Sequence, residues 1–154
     1  MRHAARSAIA RTSTVGVVAL IALAAGRPVQ SAPGMTAGIV AALDQSAAGW
    51  NSGNLDQFMG LYLNSPRTTY ATHTKFLHGP AAIRAVYADR FAPGANRDSL
   101  KLVDVSVDSL SASLASVMAF YELRHGDSLT TRGPTSLLMQ RVGGTWYLVH
   151  DHSG

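Results

Sequence analysis

The chain has 154 residues, 47% of them hydrophobic, with 13 Lys and Arg against 9 Asp and Glu and no cysteine. That length holds one domain, and the lack of cysteine excludes a disulfide framework and a lipid-attachment cysteine. The net charge of +4 is mostly a property of the N-terminus: residues 1–26 hold three of the thirteen basic residues and no acid, so without them the charge is +1. No basic patch of the kind that nucleic-acid binding needs is evident on the remainder.

Arg2, Arg6 and Arg11 precede an apolar run from Val15 to Ala25 that is too short to span a bilayer as a helix, and small residues follow it. This is the pattern of a secretory signal peptide. Cleavage fits after Ala24, after Gly26 or after Ser31, and an uncleaved anchor is the alternative. Residues 1–31 are therefore expected to be signal peptide and linker, and residues 32–154 a single domain. After cleavage the domain is expected to be secreted or periplasmic, with no membrane association.

In the domain, Ile39, Leu43, Ala47 and Trp50 recur at helical spacing up to Asn51-Ser52-Gly53, where glycine suits the residue after a helix. Asn54, with Gln57 three residues on, starts a second helix whose apolar face is Leu55, Phe58, Met59 and Tyr62, and Asn64-Ser65-Pro66 stops it. Arg67 to Thr72 reads as a strand and His73 to His78 as a loop or ragged continuation. Pro80 opens a third helix with a stripe of Ile83, Val86, Tyr87 and Phe91, broken by Pro93-Gly94-Ala95-Asn96.

From Leu100 on, the pattern alternates with period two. Val103, Val105 and Val107 alternate with Asp104, Ser106 and Asp108. Ala115, Val117, Ala119, Tyr121 and Leu123 form one face of the next strand, and Met118, Phe120 and Glu122 form the other. Thr135 to Val142 is a third strand, and Gly143-Gly144 turns into a fourth. Helices first and strands later predict an α+β fold, with helices packed on one face of a mostly antiparallel sheet. A curved sheet covered in this way leaves a cavity between the layers.

Three stretches resemble a known superfamily. Trp50-Asn51-Ser52-Gly53-Asn54-Leu55-Asp56 with Leu61-Tyr62 resembles the helix-turn-helix opening of nuclear-transport-factor-2-like proteins, and His78-Gly79-Pro80-Ala81-Ala82-Ile83 their entry to the third helix. The ending from Gly144 to Ser153 closely resembles that of the SnoaL-like, polyketide-cyclase-like branch. The likeness covers roughly residues 36 to 153. It implies a cone-shaped α+β barrel, with three N-terminal helices on the concave face of a curved sheet, often dimerised through the outer sheet face. It also implies a wide range of activities, from dehydratases, isomerases, cyclases and epoxide hydrolases to proteins with no known reaction, so fold alone does not fix function. A homodimer is the expectation here, with Met118, Phe120, Tyr147 and Val149 on the outer face.

Alternation along the last strand puts Trp146, Leu148, His150 and His152 on one face and Tyr147, Val149 and Asp151 on the other. His150 and His152 are thereby expected in the cone and Asp151 outside it. Histidines two apart on a strand can bind metal, but no metal or cofactor is assigned. The remaining readings of His150 are a structural hydrogen bond and proton transfer. Tyr70 and Tyr121 are its candidate hydroxyl partners, against ordinary core packing, and Trp50, Tyr87 and His152 complete the expected pocket lining. With the valines of the first long strand inward, the inner faces are expected to be short of carboxylates, which counts against an isomerase or epoxide-hydrolase mechanism; with them outward, Asp104 and Asp108 would point in instead. The leading expectation is an exported domain that binds a small, largely apolar molecule in the cone. The alternatives are an acid–base enzyme using His150 with Tyr70 or Tyr121, and a dimeric interaction module whose cavity is vestigial.

Overall fold

The computed structural model describes residues 33–154; the expected leader over residues 1–31 lies outside the described residues. Helix α1 (Pro33–Ser52) buries Ile39, Leu43, Ser46 and Trp50, a spacing of three to four residues that keeps them on one face. It stops at Gly53, whose φ of 78° falls in the region that favours glycine. Asn54 caps α2 (Leu55–Met59) by accepting a hydrogen bond from the Gln57 N–H at 3.0 Å. The helix is shorter than its apolar spacing suggests, because the last strand captures the next residues. Leu148 donates to the Leu61 carbonyl at 2.8 Å, and Leu63 donates to the Leu148 carbonyl at 2.9 Å. Tyr62 is thus drawn out of the helix into a parallel bridge with Leu148.

Strand β1 (Thr69–Ala71) follows, and the ragged stretch after it supplies a short strand, β2 (Phe76–His78). Helix α3 (Pro80–Tyr87) has proline in its first turn, as expected, and runs into a single 3₁₀ turn, Ala88–Phe91. Four long strands complete the chain: β3 (Ser99–Ser111), β4 (Leu114–His125), β5 (Ser128–Val142) and β6 (Thr145–Ser153). The six strands form one open sheet in the order β2-β1-β6-β5-β4-β3. All pairs are antiparallel except β1–β6. The helices pack on one face of this curved sheet, and no helix among the described residues is long and apolar enough to cross a membrane.

Two β-bulges alter the alternation that the sequence suggests. In β3 the pairing passes from Val103–Phe120 to Ser106–Met118, three residues against two, with Asp104 at a φ of 55°. Leu100 and Leu102 therefore share the inner face with Val105 and Val107, and Val103 turns outward, so the three valines do not form one stripe. In β6 the pairing passes from Leu148–Met139 to His150–Leu138, and Val149 has no partner. A one-residue insertion reverses the face of every side chain beyond it. Trp146 and Leu148 face inward as expected, but beyond Val149 it is Asp151 that faces inward and His150 and His152 that face out.

The aromatic part of the core centres on Trp50, which meets Phe58, Tyr87 and Phe91 edge-on at 5.4, 6.1 and 5.4 Å between ring centroids. Its indole N–H donates to the Asp98 carbonyl at 2.8 Å, tying α1 to the start of β3. Arg84, on α3, is a partly exposed partner of Asp56 at 2.6 Å. The α1–α2 turn depends on Gly49, where a Cβ would lie 2.5 Å from the Phe58 backbone nitrogen and 2.9 Å from the Gln57 carbonyl carbon. Gly49→Ala is expected to lower stability by roughly 1–3 kcal/mol, because backbone cannot yield as a side-chain tip does. A urea midpoint unchanged from wild type would contradict this.

Candidate functional site

Between the helices and the inner sheet face lies a cavity of about 310 Å³. Its wall is largely apolar: Leu43, Trp50, Phe58, Leu100, Leu102, Leu123, Leu137 and Leu148 contribute to it. The polar exceptions include Ser46, Thr131 and the exposed Arg90. Strand β6 sends in Asp151 and Ser153, β5 sends in Thr135, and Tyr62, Tyr70, Tyr87 and Tyr121 come from four different segments.

Among the described residues, Asp151 is the only carboxylate lining this cavity, and it is 6% exposed. The Tyr62 hydroxyl donates to its Oδ2 at 2.7 Å, and the Ser153 hydroxyl donates to its Oδ1 at 2.6 Å. Thr135 Oγ1 lies 2.8 Å from Ser153 Oγ. Since the single Ser153 hydrogen is directed at Asp151, Thr135 is the donor in that pair. The result is a chain of donors converging on one buried carboxylate, with lone pairs left over for a donor in the cavity. Burial raises the Asp151 pKa above its ordinary 3.8, while the bonds from Ser153 and Tyr62 and the nearby histidine charges pull it down without cancelling the burial.

The tyrosines are shifted the other way from reactivity. Burial, reinforced by the charge of Asp151, raises Tyr62 and Tyr87 well above 10.0, and burial also raises Tyr70. They therefore stay protonated and act as hydrogen-bond donors. Tyr70 and Tyr87 stack at a tilt, 5.8 Å between centroids. Tyr121 lies along the wall, its hydroxyl 3.4 Å from the Gly154 carbonyl. Gly133 faces it, and a Cβ there would overlap both the Tyr121 hydroxyl and the Gly154 carbonyl.

Of the residues singled out in the sequence, Trp50, Tyr70, Tyr87 and Tyr121 line the cavity, and His150 and His152 do not. His150 stands on the outer face, where its Nδ1 is 2.7 Å from Thr69 Oγ1 on the paired strand β1, and His152 is exposed. The expected partnership of His150 with Tyr70 or Tyr121 is therefore not formed. The inner face, expected to lack carboxylates, holds Asp151. The cause is the Val149 bulge, which alternation counting cannot register. Tyr62, Ser153 and Thr135 were also missed. Tyr62 was assigned to a helix face, and the two hydroxyl residues carry no distinctive pattern. Among the described residues, no group of three or more His, Cys, Asp or Glu could hold a metal ion.

The SnoaL-like domain family matches residues 39–153. The chain belongs to that family. This SnoaL-like domain is also similar in structure to an NTF-2 like protein of unknown function from Shewanella oneidensis MR-1, with 26% identity, 77% of this chain and 97% of that one covered, and a TM-score of 0.68. A cystatin-like-fold protein of unknown function from Nostoc punctiforme superposes with a TM-score of 0.68 at 7% identity, covering 79% of this chain and 91% of that one. A candidate scytalone dehydratase from Novosphingobium aromaticivorans gives a TM-score of 0.62 at 11% identity, covering 77% and 81%. The last two likenesses concern the fold alone. No curated protein matches the chain. The SnoaL-like domain thus has the nuclear-transport-factor-2-like α+β architecture expected from its opening and closing motifs.

Because its folded-state pKa is raised, Asp151 binds its proton more tightly in the native state than in the unfolded chain. Stability from this group is greatest at pH values below 3.8, falls as pH rises from there through the folded-state pKa, and is level above it. Asp151→Asn removes that loss, and the amide can still accept from Tyr62 and donate to Ser153. The difference in melting temperature between Asp151→Asn and wild type is expected to shift in favour of the variant as pH rises from 4 to 8. Melting curves by circular dichroism with a pH-independent difference would contradict this.

Proposed function

We propose that the protein binds one small, largely apolar molecule in the cone, held by a donor group directed at Asp151. The observation that carries this is a buried carboxylate, fixed by Tyr62 and Ser153, facing a largely apolar cavity. A volume of about 310 Å³ is at the lower end of small-molecule sites and suits one compact ring system. A carboxylate in such a place recognises a hydroxyl or N–H group, because a ligand lacking one would strip it of water without replacement.

2-Naphthol is a suitable probe, with naphthalene as its donor-free counterpart. Wild type is expected to favour 2-naphthol, and Asp151→Asn is expected to reduce its affinity about tenfold, the difference between a charge-assisted and a neutral hydrogen bond. His150→Ala, on the outer face, is expected to change it less than about twofold. Equal affinity for 2-naphthol and naphthalene in wild type, by fluorescence titration, would overturn the reading.

A second reading is proton transfer, favoured by the raised pKa of Asp151. A carboxylate that holds its proton more tightly is a stronger base, and tyrosine hydroxyls around it can stabilise an enolate oxygen. In this reading Asp151, not His150, is the base. Exchange of the α-protons of 2-tetralone with D₂O, accelerated by wild type and not by Asp151→Asn, separates it from binding alone.

The protein is further proposed to act outside the cytoplasm as a homodimer. The basic and apolar residues before Ala25 support export. Met118, 49% exposed, with Phe120, Tyr147 and Val149 on the outer sheet face, supports pairing through that face. Protein recovered after export should begin between residues 25 and 32 and scatter light as a dimer at micromolar concentration; a start at Met1 or a monomer mass would contradict the respective half.

A further inference from the structure

The cavity wall also carries a cation that the binding reading does not use. Arg90, on the 3₁₀ turn after α3, lines the cavity yet is itself exposed, so it stands where the cavity meets solvent. Its backbone and its side chain each have one contact with the Trp50 region. Its guanidinium lies over the Trp50 ring, 5.8 Å from the centroid. Its backbone carbonyl accepts a hydrogen bond from Arg97 Nη1 at 2.8 Å, and Arg97 Nε in turn donates to the Trp50 carbonyl at 2.8 Å.

The other arginines of this region are committed elsewhere. Arg84 pairs with Asp56, Arg124 and Arg132 pair with Glu122, and Arg132 also reaches Asp104. Arg97 bonds two carbonyls and stacks on Phe91 at 4.7 Å. Asp98, near the Trp50 indole, is occupied by Thr130 at 2.6 Å and His125 at 3.2 Å. Arg97 thus has its N–H groups used by carbonyls, whereas the Arg90 guanidinium has neither a carboxylate nor a carbonyl partner among the described residues. A guanidinium stacked on an indole keeps its N–H edge free for a planar acceptor.

We infer that the occupant of the cone is an amphiphilic acid: a compact ring system with a hydrogen-bond donor at the Asp151 end and a carboxylate, or a group of like charge and shape, at the Arg90 end. This rests on the binding reading above and deepens it. The two charged groups of the wall have opposite sign and opposite exposure, Asp151 buried and Arg90 at the solvent side. An anion directed at Asp151 would be repelled, so the polarity of the wall also sets the orientation. The anionic group stays half in water, which spares it most of the desolvation cost of a buried charge.

The test uses a matched pair of probes, 6-hydroxy-2-naphthoic acid and 6-hydroxy-2-naphthamide, with 2-naphthol as the common reference, titrated by intrinsic naphthol fluorescence at pH 7.5 into the full chain. Wild type is expected to bind the acid about tenfold tighter than the amide, as one charge-assisted contact implies. The preference should shrink with added NaCl because the site is exposed. In Arg90→Gln the ratio of acid to amide affinity should fall to about one, and in Arg90→Lys it should be partly retained. The ratio is insensitive to any general loosening of the Trp50 region, since both probes share the same rings. An acid-to-amide ratio near one in wild type, or a ratio that survives Arg90→Gln, overturns the inference. If 2-naphthol binds in that case, the binding reading stands without it; if none of the three probes binds, both fall together.

Discussion

The last strand has to serve two different neighbours along one edge, and the site depends on how it does so. Over Leu148 its edge is bonded to the segment Leu61–Leu63, which leaves α2. From His150 onward the same edge is bonded to β1. Val149 sits at the handover with no partner across on β5, so the strand absorbs the change of neighbour as one extra residue. That insertion turns Asp151 into the cone. The bridge at Leu148 holds Tyr62 close by, and a tyrosine on that segment is what reaches the Asp151 carboxylate. One backbone irregularity thereby brings both partners of the buried hydrogen bond into position.

Burying Asp151 is unfavourable in itself, and the donors around it indicate how that cost is met. Two hydroxyl donors at 2.6 and 2.7 Å satisfy one lone pair on each oxygen, and Thr135 fixes the hydrogen of Ser153 by supplying a donor to it. Among the described residues no cation completes the set as a salt bridge, and burial keeps the carboxylate harder to ionise than an exposed one. A group in that state is more exposed to its surroundings than a neutralised ion pair would be. Its remaining lone pairs face the cavity, where a further hydrogen-bond donor would be favourable.

Much of the fold was legible because its signals are local. Asn54 with Gln57, Gly53 after a helical stripe, Pro80 after Gly79 and the Gly143-Gly144 turn each act through the backbone of their own neighbourhood, and each is found where its chemistry places it. The apolar face of β4 was equally plain, since no bulge interrupts the run from Ala115 to Leu123 and the residues alternate as they should. The site was less legible for the opposite reason. Its orientation depends on Val149, an ordinary strand residue whose unpaired state is imposed by partners some eighty residues earlier. Counting alternate positions from Trp146 assigns Leu148 correctly and everything beyond it to the wrong face. The same failure in β3, around Asp104, divided the three valines between faces; there the positive φ of a non-glycine residue marks the site, but only once the backbone is known.

Trp50 links the two ends of this arrangement. Its place at the end of α1 is a matter of helical spacing, and its neighbours Phe58, Tyr87 and Phe91 are gathered from three separate elements by edge-on packing. The indole N–H fixes β3 through the Asp98 carbonyl, and the indole face supports Arg90. The rigid aromatic group that closes the core therefore also determines where the cation at the cavity edge can stand. Asp151 is positioned by the sheet and Arg90 by the helical layer, so the separation between the two charges is set by how the layers pack.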